Sequence, residues 1–142
     1  MDIRSRLISS FIVSLAIASV LFTSSAFASE VKVIAYYFHG NFRCFTCTAM
    51  ENYSRQAIET NFEDALASGK LEFKPINTEK GGNEHFVNEY QLYTKSLILS
   101  FMKDGKEIRS KNLDKIWELV RNKQKFITYV TEEIQAFLEE TK

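Results

Sequence analysis

"YYFHGNFRCFTCTAMENY", residues 36–53, holds both cysteines of the chain, Cys44 and Cys47, with two residues between them. Two thiols so close can grip a metal, lock a loop or exchange electrons, and the flanking sequence bears on which. Upstream, "VKVIAYYF" (Val31–Phe38) is rich in β-branched and aromatic residues and nearly continuously apolar after Lys32. That is the pattern of a strand covered on both faces. A loop with Gly40 runs from His39 to Arg43. From Cys44 the pattern turns helical: Ala49, Met50, Tyr53, Ala57, Ile58 and Phe62 fall on one face, with polar residues between them. Ala65 and Leu66 extend that face, and Gly69 is placed to end the helix. The cysteines therefore fall where a first strand has ended and a first helix begins.

Further along, "LEFKPI" (Leu71–Ile76) puts Leu, Phe and Pro on one side and Glu and Lys on the other. Pro75 cannot donate to a ladder, so this strand is expected at a sheet edge. Gly81-Gly82 breaks the chain, and Asn83–Leu92 reads as a short helix with Phe86, Val87 and Tyr90 on one side. "SLILSF" (Ser96–Phe101) is another apolar strand. Asp104-Gly105 is a hairpin signal, with Lys106–Lys111 as the returning strand. Asp114 is placed to cap a last helix, whose apolar positions run from Ile116 and Leu119 to Phe137 and Leu138. The order is β-α-β-α-β-β-α. A strand–helix–strand unit is right-handed and parallel, and the hairpin adds an antiparallel strand. The expected class is α/β: a four-stranded mixed sheet with helices on both faces.

The chain has 142 residues, 45% of them hydrophobic and 25% charged, which suits one globular domain. Twelve Phe and six Tyr let large rings fill a small core. Formal net charge is zero, and no clustered basic face points to nucleic acid. Residues 1–28 read as a secretory signal peptide: Arg4 and Arg6, an apolar run over Leu7–Phe22, and the small-x-small site Ala26-Phe27-Ala28. An uncleaved anchor is the alternative, but 16 apolar residues fall short of the about 20 needed to span. No Cys lies near the cleavage site, which excludes a lipid-anchored form. Residues 29–142 then form one exported domain, periplasmic or otherwise extracytoplasmic, with no membrane span after cleavage.

Export places the thiols in an oxidising compartment. A bridge across two intervening residues closes a tiny loop and would stabilise little, so its use is sought in chemistry. A helix N-terminus offers unpaired N–H groups and about half a positive charge. Arg43 adds a full charge beside Cys44, and protonated His39 is a further candidate for tuning it. Such settings lower a thiol from about 8.5 to between about 3.5 and 7.5. Cys44 is the expected nucleophile, attacking a partner disulfide. Cys47, deeper in the helix, is the expected resolving thiol.

The strand "VKVIAYYF", the motif Cys44-Phe45-Thr46-Cys47 at a helix start and the element order together resemble the thioredoxin-like superfamily over roughly Val31–Leu138. More narrowly, "YYFHGNFRCFTCTAMENY" is similar to ArsF, a family of small exported thioredoxin-like subunits that accompany reductases of nitroaromatic (nitrophenyl) compounds. That resemblance implies electron delivery to a partner reductase. The chain departs from thioredoxins in several places. Arg43 stands where they have Trp, and Phe45-Thr46 where they have Gly-Pro, so their redox potential does not transfer. Their buried Asp, six residues before the first Cys, corresponds by count to Phe38, and Val33–Phe38 holds no acid. Their cis-Pro corresponds to Lys95 or Ser96 in "YTKSLILSF". Without Pro this bond is expected to be trans. The resemblance implies that the Lys95–Ser96 loop shapes the substrate groove.

The reading is an exported thiol–disulfide oxidoreductase or electron-transfer protein. It needs no dissociable cofactor beyond the Cys44–Cys47 pair, and it requires a protein redox partner, soluble or membrane-bound. The competing reading is a metal carrier using the same two thiolates, for Cu(I) or Zn. A tetrahedral site would need Cys44, Cys47, His39 and His85 to converge. A redox-inert binding module is the third reading.

Overall fold

The computed structural model describes residues 30–141; the expected signal peptide and its cleavage site lie outside them. The elements in chain order are β1 (Val31–His39), α1 (Phe45–Asn61), α2 (Glu63–Ala67), β2 (Leu71–Asn77), α3 (His85–Glu89), β3 (Ser96–Lys103), β4 (Lys106–Asn112), α4 (Ile116–Leu119) and α5 (Lys123–Glu139). The four strands form one mixed sheet in the order β2-β1-β3-β4. β1 pairs parallel with β2 and antiparallel with β3, and β3 pairs antiparallel with β4. This is the expected sheet, with Pro75 on an edge strand.

The hairpin between β3 and β4 turns through Asp104 (φ 51°) and Gly105 (φ 76°). Two successive positive φ values make the tight turn whose twist suits paired strands. The other edge, β4, reads "KEIRSKN"; its charges blunt the unpaired ladder there, as Pro75 does on β2.

Strand alternation divides the core. Val33, Ala35 and Tyr37 of β1 and Leu97 and Leu99 of β3 face α1 and α5 and are fully buried. Helix α5 meets them with Phe126, Val130, Ile134 and Phe137, spaced for one stripe. Each buried apolar side chain of this size contributes about 1.5–3 kcal/mol. On the opposite face Tyr36 and Phe38 pack with Phe86 of α3 and Tyr90, its C-cap, with ring centroids 5.2–6.1 Å apart. Helices thus cover both faces.

The structure corrects two expected helices. The first does not run unbroken to Leu66: Phe62 leaves helical geometry (φ −133°, ψ 35°) and its side chain is buried in the core. The Asn61 side chain donates to the Ala57 carbonyl at 2.8 Å and marks the break. The last helix is likewise two pieces. Asn122, not Asp114, caps the long one, its side chain accepting from the Lys125 N–H at 3.1 Å. Asp114 instead precedes α4, where its carbonyl accepts from the Trp117 N–H at 3.2 Å.

Candidate active site

Cys44 is the N-cap of α1, in extended conformation (φ −78°, ψ 166°), and its sulfur accepts from the Cys47 N–H at 3.3 Å. Its carbonyl accepts from Thr48 N–H at 3.0 Å. The first turn of a helix leaves N–H groups without partners. Here a thiol stands in for the usual Ser, Thr, Asp or Asn. Cys44 is half-buried and Cys47 is 2% exposed.

The two thiols are driven apart. Cys44 is lowered from its ordinary value, first by the hydrogen bond from the Cys47 thiol and next by the Cys47 backbone N–H. Cys47 is raised, first by burial and then because its proton is shared with Cys44. Donors at the charged form lower an acid, and burial raises it. Of the two, Cys44 is therefore the thiol that ionises first, and Cys47 the one that holds its proton longer. Lys95 opposes the rise at Cys47.

Beneath the pair lies Tyr37, fully buried, whose hydroxyl donates to the Cys47 carbonyl at 2.7 Å. Burial drives this phenol well above its ordinary value, so it stays a donor. The count of six residues points to Phe38, which instead faces the other side of the sheet. Side chains alternate along a strand, so a change of one residue in the following loop swaps the face presented to the helix. Tyr37 was legible only as core. Its alternation with Phe38 was the available signal.

The other expected residues gather unevenly. Arg43 pairs with Glu51, which is 12% exposed and also takes Arg55 at 3.2 Å. The groups that chiefly lower Cys44 are its neighbours Cys47 and Thr46. His39 places Nδ1 2.9 Å from the Gly40 carbonyl and its ring near Tyr37. The loop after it is strapped down: Glu79 accepts from the Asn41 N–H at 3.1 Å, and Asn77 donates to the Asn41 side chain at 2.8 Å. A Cβ on Gly40 would meet Glu79 Oε1 at 2.2 Å, so a larger residue there would push the end of that side chain aside.

Ser96 opens β3, on the far side of β1 from β2, and Lys95 immediately precedes it. Ser96 is buried, pairs with Phe38, and its hydroxyl donates to the Thr94 carbonyl at 3.0 Å. No described peptide bond is cis. Trp117, absent from the sequence-based candidates, donates its indole N–H to the Lys95 carbonyl at 3.0 Å. The loops at His39 and Lys95 border a cavity of about 170 Å³ that Glu79 and Tyr93 also line. Phe42, Phe45 and Tyr93 stand 76%, 89% and 94% exposed on these loops and at the start of α1.

His85 lies on α3 with its Nδ1 2.9 Å from the Gly82 carbonyl. Among the described residues no three His, Cys, Asp or Glu side chains gather to hold a metal ion, so the four-ligand set is not assembled. Nor is any described helix long and apolar enough to cross a membrane.

The solved structures similar to this chain include two thioredoxins. One is a Fasciola hepatica thioredoxin, 22% identical over 63% of this chain and 79% of that one, with a TM-score of 0.33. The other is Chlamydomonas reinhardtii thioredoxin f2, 10% identical over 67% and 82%, with a TM-score of 0.34. No family model matches the chain, and no curated protein is detectably similar to it. The strand order, the pairing directions, the helices on both faces and the cysteine pair opening α1 after β1 give this chain a thioredoxin-like fold.

Proposed function

We propose that this protein is a thiol–disulfide oxidoreductase that works outside the cytoplasm as an electron-transfer protein. The observation that carries the reading is the split between its thiols: a half-buried Cys44 that is lowered and a buried Cys47 that is raised. One pair of groups pushed apart in this way divides the labour of a two-step exchange. The Cys44 thiolate attacks a partner disulfide. One partner sulfur leaves and takes a proton, and the other stays bonded to Cys44. Cys47 then loses its proton and attacks the Cys44 sulfur, releasing the second partner thiol and closing the Cys44–Cys47 disulfide. Two electrons pass to the partner. The reverse sequence oxidises it.

No dissociable cofactor enters this cycle, and a soluble or membrane-bound protein partner must restore the dithiol. The exposed rings of Phe42, Phe45 and Tyr93 are the apolar surface such a partner would cover. Export is proposed from the pattern of residues 1–28. The finer proposal, from the resemblance to small subunits of nitroaromatic reductases, is that the partner is a reductase supplied with electrons by this pair.

Oxidised glutathione tests the mechanism. Cys47→Ser should keep one glutathione on Cys44, seen by mass spectrometry, while the unaltered protein sheds it and closes its own disulfide. If the unaltered protein accumulates the adduct as Cys47→Ser does, Cys47 does not resolve and the mechanism is wrong.

A further inference from the structure

Tyr37 is a fully buried titratable group that the exchange cycle leaves unused. It stands on β1, between β2 and β3, and is paired with Pro75 on one side and Leu97 on the other. Its ring lies in the core on the face that α1 covers, with the His39 ring stacked 6.3 Å away. A side chain on a strand with neighbours on both sides is a fixed post. From it the hydroxyl donates to the Cys47 carbonyl at 2.7 Å. Burial keeps the phenol protonated, so it remains a donor.

Cys47 is thereby tied at both ends of its own backbone. Its N–H donates to Cys44 Sγ at 3.3 Å, and its carbonyl accepts from Tyr37. With N–H and carbonyl both held, Cα and Cβ are held, and Sγ keeps only its χ1 rotamers. The two ties do not last equally through the cycle. A thiolate is a strong acceptor, whereas a disulfide sulfur carries no charge and accepts weakly. Once Cys44 is bound to a partner, its hold on the Cys47 N–H loosens just as Cys47 must attack. The Tyr37 bond involves neither sulfur, so it persists through that change.

We infer that Tyr37 is a positioning residue for the resolving step: its buried hydroxyl holds the Cys47 carbonyl, and with it the Cβ from which Sγ swings toward Cys44 after a partner has bound. The inference rests on the exchange reading above and names a residue that serves it. The step served is attack of the Cys47 thiolate on Cys44 Sγ. The Cys44–Cys47 bond forms as the bond from Cys44 to the partner breaks, and the partner sulfur leaves with the electron pair and takes a proton from water.

The test uses the reduced full-length protein and dipyridyl disulfide, an uncharged probe. One thiopyridone is released when Cys44 attacks and a second when Cys47 resolves, so stopped-flow absorbance shows two phases. The second is intramolecular, and its rate does not depend on probe concentration. Tyr37→Phe keeps the ring and removes the hydroxyl alone. A misplacement of about 1 Å can cost about a hundredfold, and loss of one tie is expected to cost part of that, about tenfold. The second phase should therefore slow about tenfold at every pH, with its pH midpoint unmoved because no charge is removed, and the first phase should stay as it was. Ile134→Ala opens a larger defect in the core, on α5, and should leave both phases unchanged. A second phase untouched by Tyr37→Phe overturns the inference. So does a moved pH midpoint at an unchanged plateau, which makes the effect one of charge, or an equal slowing by Ile134→Ala, which makes it one of stability. Absence of a second phase from the unaltered protein would instead defeat the exchange reading itself.

Discussion

Cys44 is both the cap of α1 and its candidate nucleophile, since one sulfur accepts the Cys47 N–H at 3.3 Å. Its lowering has the Cys47 thiol as first cause. In the reduced protein, iodoacetamide should therefore label Cys44 with a pH midpoint below the ordinary thiol value of about 8.5. The rate falls as pH drops through that lowered midpoint, and Cys47 resists labelling until higher pH. Cys47→Ala removes the thiol donor, so the Cys44 midpoint should rise. An unchanged midpoint would assign the effect to the backbone alone. Tyr37→Phe deletes the buried hydroxyl that bonds the Cys47 carbonyl and should cost about 1–2 kcal/mol in urea unfolding. The cysteines were legible in the sequence because their spacing and setting carry the chemistry. Tyr37 was not, because counting back from Cys44 landed on Phe38, one residue and therefore one sheet face away. Trp117 was not, because its bond to Lys95 crosses 22 residues and no local pattern announces it.

The elements were legible where local chemistry is decisive. Asp104-Gly105 dictated the hairpin, Pro75 the edge, and the apolar run of Val31–Phe38 a covered strand. The helix breaks at Phe62 and Asn122 were hidden because an apolar period continues across each while the backbone departs. Phe62 still reaches the core from a non-helical residue, so its side chain looks like one more turn of the stripe. The long helix α5 depends on its cap and its stripe. Asn122→Ala should cost about 1 kcal/mol. Ile134→Ala, at a fully buried position, should cost about 2–5 kcal/mol. Both are read as urea midpoints at constant slope. An Ile134→Ala cost below that of Asn122→Ala would contradict the packing of α5 on the sheet.

Over the whole molecule the sheet order brings three separate stretches to one end: the loop into α1, the strap at Glu79 and the Lys95 loop held from α4. The sequence carried this arrangement through its element order, since a right-handed parallel unit followed by a hairpin admits few topologies. It did not carry the redox poise, which depends on the balance between a stabilised Cys44 thiolate and a buried Cys47. Reduction of the pair by glutathione buffers of graded ratio, read by the fraction of Cys44–Cys47 disulfide, measures that balance. Thiol–disulfide exchange requires one reversible two-electron transition. A midpoint near about −270 mV marks a reductant able to supply a partner reductase, and one near about −120 mV marks an oxidant. If no Cys44–Cys47 disulfide forms at any ratio, the pair does not exchange electrons and the proposed function fails.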